Sequence, residues 1–149
     1  MIALGGLFGV YRLTQRSERQ RASEIRRSES VVGVLKASAA LARPLAKPDR
    51  NASLQRVKEI DALADAFILF AAREMREHFK VARWAISVRD SLGTSATNLA
   101  NENDPDAREA ITDATSALAV DATAALILWL SDPKFEAFQT PEEVSAADV

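Results

Sequence analysis

The side chains of this chain that could do chemistry gather in one short stretch, REMREHF, residues 73–79. His78 is the only histidine, and there is no cysteine. Glu74 stands four residues before His78, which puts both on one face of a helix. A carboxylate beside an imidazole can ligate a metal or serve as base and orienter. One such pair is too few ligands by itself, and a helical di-iron site needs Glu-x-x-His twice. Here Met75 occupies the position three before His78, so that pattern fails. Glu74 and Glu77 form a second arrangement, a carboxylate pair of the kind that holds magnesium in a metal-dependent hydrolase. It needs a matching pair on a neighbouring helix. The nearest candidates, Glu109 and Asp113, are spaced by four and face another way relative to their stripe. Glu74, Glu77 and His78 are therefore weak metal candidates, and His78 reads first as a surface or boundary residue. No phosphate-cradling glycine loop, nucleophile elbow or cysteine-rich metal pattern is present. The expectation is a chain that is not an enzyme and carries no cofactor.

Charge says more than catalysis does. Residues 1–50 carry a formal +6, residues 51–100 carry +1 and residues 101–149 carry −9, giving the overall −2. A sign asymmetry of this size speaks to partners and orientation. It follows an uncharged start, MIALGGLFGVY. Ile2, Leu4, Leu7, Phe8, Val10 and Tyr11 are the candidate anchor residues. Arg12, Arg16, Arg19, Arg21, Arg26 and Arg27 come next. A secretory signal has the reverse order, with basic residues before the apolar run. Apolar first and arginine second is the order at the cytoplasmic exit of a span. Eleven helical residues cover roughly 17 Å, too little for a bilayer core of about 30 Å. The segment is thus read as the end of a longer single span, or as a stretch that enters one leaflet. The competing reading docks these side chains on the protein core.

The elements that must carry these residues are helical. Apolar residues make up 48 % of the 149-residue chain, with 27 % charged, 5 Gly and 5 Pro. Alanine is abundant, and lasting apolar–polar alternation is absent. Residues 12–30 are nearly all polar and suit a basic stalk, with Glu18–Arg21 and Glu24–Arg27 as helical ion pairs. From Ile25 a stripe of Val32, Leu35, Ala39 and Ala42 predicts an amphipathic helix that stops before Pro44. Asn51 or Ser53 is the expected cap of a second helix, whose stripe runs Val57, Ile60, Ala64, Phe67, Ile68, Ala71, Met75. The stripe continues to Val88, with a break or kink expected near 79–81. Residues 93–103 read as a weak helical extension or a loop. Asp104-Pro105-Asp106 is the clearest helix start in the chain. Its stripe is Ile111, Ala114, Leu118, Ala122, Ala125, Leu126 and Trp129. The run ALAVDATAALILWL is expected to be a buried helix rather than a second span, with Asp121 pointing outward. Trp84 and Trp129 read as core or core rim. Two short helix starts follow, at Asp132-Pro133 and Thr140-Pro141, bearing Phe135 and Phe138.

The fold expected is all-α: three or four main helices in an antiparallel bundle, with an N-terminal apolar and basic extension and short C-terminal helices. The organisation is 1–11 anchor, 12–30 stalk and 31–149 bundle. The leading functional expectation is a membrane-tethered helical protein at the cytoplasmic face of the inner membrane. There the arginines meet anionic lipid, and the bundle acts by binding a protein or a second copy of itself. The alternative is a soluble cytoplasmic regulator whose arginine arm binds an acidic partner. A carboxylate-dependent metal hydrolase ranks below both. Nucleic acid is disfavoured as a partner, because no base-reading helix follows the arginines and the rest of the chain is acidic.

Overall fold

A computed structural model describes residues 2–43, 49–132 and 138, with residues 2–8 described as backbone only. It shows four helices packed together: α1 (Ile2–Leu41), α2 (Arg50–Glu74), α3 (Phe79–Asn101) and α4 (Pro105–Ser131). The all-α bundle expected from the sequence is the fold. The turn at 44–48, the short C-terminal helix starts with Phe135, and the last residues lie outside the described residues.

α1 is one uninterrupted helix of 40 residues. At 1.5 Å per residue it is about 60 Å long, and it crosses the expected anchor, stalk and bundle boundaries without a break. It stops just short of Pro44, as the proline requires. α2 starts earlier than expected. Its cap is Asp49, whose carboxylate accepts the Ala52 N–H at 2.7 Å. A carboxylate at that position satisfies an orphan amide and complements the positive helix end, so it outcompetes Asn51 and Ser53. The expected break exists but falls a few residues early, at 75–78, where the His78 N–H still donates to the Glu74 carbonyl at 2.8 Å. The reversal there lets α2 and α3 pack against each other, with Phe67 meeting Trp84 edge-to-face at 5.9 Å.

Residues 93–101 continue α3. Leu92, Ala96 and Leu99 are buried at helical spacing. The hydroxyls of Thr94 and Thr97 donate to the carbonyls four residues back, so they do not compete with the helix. α4 begins as its sequence announces. Asp104 accepts the Asp106 N–H, and Pro105 occupies the first helical position. Neither Gly33 nor Gly93 has any neighbour within 4 Å of where a Cβ would stand. Gly33→Ala and Gly93→Ala are each expected to raise stability by about 0.5–1 kcal/mol in urea titrations. A loss of stability in either would show that helix propensity is not what limits these positions.

Two faces differ from the sequence reading. On α1 the expected stripe is rotated by one residue. Ile25, Val32, Ala39 and Ala42 are exposed and Leu35 is half-buried, while Ser30, Val31, Val34, Ser38 and Leu41 are buried. Counting greasy side chains favoured the wrong face. The true face sets Ser30 and Ser38 among Val31, Val34 and Leu41, with Thr123 Oγ1 of α4 donating to Ser38 Oγ at 2.9 Å and Arg73 Nη1 of α2 donating to Ser30 Oγ at 2.7 Å. On α4 the buried line is Thr115, Ala119, Ala122, Leu126 and Trp129, with Ile111, Leu118 and Ala125 half-buried and Ala114 exposed. Asp121 is exposed, as expected. The expectation of a buried helix is corrected, because α4 is covered along one side only. Val120, Ile127 and Leu128 are 59 %, 48 % and 58 % exposed. Among the described residues α4 is the one helix long and apolar enough to cross a membrane by length and composition, at a mean hydropathy of 1.5.

Candidate functional site

The chemistry-bearing residues of the 73–79 stretch are brought to one corner, where α1, the α2–α3 turn and α4 meet. Their partner there is Arg27. Its Nη2 donates to His78 Nε2 at 3.0 Å. An arginine can only donate, so His78 accepts and carries its proton on Nδ1. Arg27 Nε lies 3.6 Å from Glu74 Oε1, and Nη2 lies 3.6 Å from Glu77 Oε2. The guanidinium carbon stands 5.2 Å from the centre of the Trp129 ring, and His78 meets the same ring edge-to-face at 5.2 Å. Phe70 also meets Trp129 edge-to-face at 5.4 Å. Trp129 and Trp84 are both buried, as expected.

The electrostatics of this corner are strained. Glu74 is buried, and its pKa is pushed above the ordinary carboxylate value of 4.5 by desolvation. The charge of Arg27 pulls the other way without reversing the shift. Arg27 Nε is itself buried with no hydrogen-bond acceptor. The guanidinium takes up the two carboxylates that sequence reasoning offered to a metal. Among the described residues no group of three or more His, Cys, Asp or Glu stands close enough to hold one. The arrangement clamps α1, α2 and α4 together at this corner.

Of the expected contact arginines, Arg12, Arg16, Arg19, Arg21 and Arg26 are exposed. Arg27 departs from the set, with a side chain only 13 % exposed. The ion pairs Glu18–Arg21 and Glu24–Arg27 do not form, and none of the five exposed arginines makes an ion pair among the described residues. Val10 and Tyr11 are exposed at 63 % and 61 %. The side chains of Ile2, Leu4, Leu7 and Phe8 lie outside the described residues. The charge gradient along the chain is not a simple gradient in space. α4 runs antiparallel to α1, so Trp129 returns to Arg27 and Phe138 reaches Trp84 at 4.8 Å.

One residue escaped the sequence reading altogether. Arg56 is buried at 3 % exposure. Its Nη1 donates to the carbonyls of Ala40 (3.1 Å) and Leu41 (3.0 Å) and to Glu59 Oε2 (2.9 Å), and its Nη2 donates to the Arg43 carbonyl (2.6 Å). It is the missing C-terminal cap of α1, reached from another helix. The available signal was an absence: the last turn of α1 contains no basic residue and no glycine follows, so its carbonyls needed a donor from elsewhere.

No protein-family model, curated protein or solved structure matches this chain.

Proposed function

We propose that this chain is a membrane-tethered, non-catalytic helical module that acts by contact with protein at the cytoplasmic face of the inner membrane. The observation that carries this reading is the continuity of α1 from its apolar start, through five exposed arginines that make no ion pair among the described residues, into the bundle core. A continuous helix makes the arginine band and the bundle one rigid piece, so engaging the band also orients the bundle. Near an anionic surface each arginine contributes about 1 kcal/mol. Exposed guanidiniums on a straight helix stand within reach of lipid phosphates.

The test is flotation of the full chain with vesicles of phosphatidylglycerol and phosphatidylcholine, against phosphatidylcholine alone. Co-flotation is expected, stronger with the anionic vesicles and weakened by salt. Arg16→Gln with Arg19→Gln should lower the anionic component by roughly tenfold or more. Recovery of the chain wholly in the soluble fraction removes the tether and leaves the soluble regulator with an arginine arm.

A further inference from the structure

α1 and α4 each present an exposed stripe, and the two stripes are complementary in order. On the part of α1 outside the bundle, Arg12, Arg16, Arg19 and Arg26 fall within an arc of about 80° at 3.6 residues per turn, while Arg21 lies on the opposite side. On α4 the exposed side starts with Asp106, Glu109 and Asp113 and continues with Ala117, Val120, Ala124, Ile127 and Leu128, with the Asp121 carboxylate at its flank. The arginines are spaced by four and then three. The acids are spaced by three and then four. Laid antiparallel, Arg19 meets Asp106, Arg16 meets Glu109 and Arg12 meets Asp113, over roughly 10 Å on each helix. Laid parallel, the middle pair misses by one residue. In the antiparallel register the apolar residues preceding Arg12 then run alongside Ala117, Val120 and the rest of the uncovered α4 stripe. Each stripe also borders a groove. A groove of about 600 Å³ lies beside Arg19, Ser23 and Arg26, and one of about 710 Å³ beside Glu109, Asp113, Ala117 and Val120.

We infer that the arginine stripe of one copy of this chain docks antiparallel on the α4 stripe of a second copy. The claim goes beyond the tether and does not need it: Arg12, Arg16 and Arg19 seated on α4 of a second copy are not free for lipid phosphates, so the two contacts compete for one face of α1. The two surfaces differ, so the contact is head-to-tail. α1 and α4 run antiparallel within each copy, so every docked copy leaves its own α1 parallel to the first and free to engage a third. Such an interface grows open chains or closes a ring.

The experiment is sedimentation of the full chain in a mild non-ionic detergent, as a function of concentration and salt. Association that strengthens at low salt and proceeds past the dimer is expected. Arg16→Glu and Glu109→Arg each put like charges face to face and should weaken it by about tenfold or more. An equimolar mixture of the two variants should restore it, because each variant then meets its complement. Arg21→Glu, on the opposite side of α1, should leave it unchanged. All three positions are exposed, so folding is not at stake. A monomer at low salt, a mixture that does not recover, or an Arg21→Glu effect equal to that of Arg16→Glu would each overturn the inference. None of these readings depends on lipid, so flotation and sedimentation can fail independently.

Discussion

Arg27→Met is expected to destabilise the fold by about 3–5 kcal/mol at pH 7, and adding Glu74→Gln is expected to recover most of that loss. Removing one partner of a buried pair leaves an uncompensated charge, and this is where the large cost arises. Here the stranded group is Glu74, which is 5 % exposed and already above its ordinary pKa with Arg27 in place. Methionine keeps much of the stem volume against Trp129 but supplies neither the charge nor the donor to His78. Glu74→Gln by itself should cost less than Arg27→Met, because Arg27 keeps Glu77, His78 and the Trp129 ring as partners and burial already disfavours the charged form of Glu74. The pH dependence has a definite sign. The pKa of Glu74 is raised in the fold, so its contribution to stability is fully present below the ordinary value of 4.5 and is lost as pH rises through the raised value. The difference in unfolding free energy between the native chain and Glu74→Gln should therefore shift in favour of the native chain as pH falls through that window. The shift should be larger in an Arg27→Met background. Urea denaturation of the four variants at several pH values checks this. A cost below about 1 kcal/mol for Arg27→Met, or no recovery in the double variant, would refute the account of this corner as a buried charge clamp.

Arg56→Ala is expected to cost about 3 kcal/mol, and Arg56→Lys to recover less than half of it. Hydrogen bonds from a charged donor are worth roughly 1.5–3 kcal/mol each where the partner is otherwise left buried. Arg56 supplies three carbonyls of the α1 end and the Glu59 carboxylate at once. A planar fork with five donors can do that. A single ammonium cannot reach the same spread. The local signature should be a loss of hydrogen-exchange protection in the last turn of α1, with the centre of α2 and α3 unaffected at the same denaturant. If that turn keeps its protection in Arg56→Ala, another donor caps α1 and the assignment is wrong.

These two residues show where sequence reasoning reached its limit. Proline, caps and composition act within a few residues of themselves, so local pattern reports them well. The all-α class, the stop before Pro44, the start at Asp104 and the core placement of both tryptophans all came from such local terms. The hydroxyl-rich buried face of α1 did not. Apolarity is a one-way guide, since a serine is buried without penalty when a partner hydroxyl or carbonyl satisfies it, and that partner lies on another helix.

By itself the sequence determined that helices form, roughly where they end, that an arginine band follows an apolar start, and that Asp121 points outward. Only the tertiary structure decided that Arg27 leaves that band to neutralise Glu74 and Glu77 beside His78. It alone showed that Arg56 caps a distant helix and that one side of α4, with Val120, Ile127 and Leu128, stays uncovered. Those outcomes depend on which groups meet across 13 to 102 positions of chain, and burial, desolvation and hydrogen-bond satisfaction are properties of the meeting rather than of either residue.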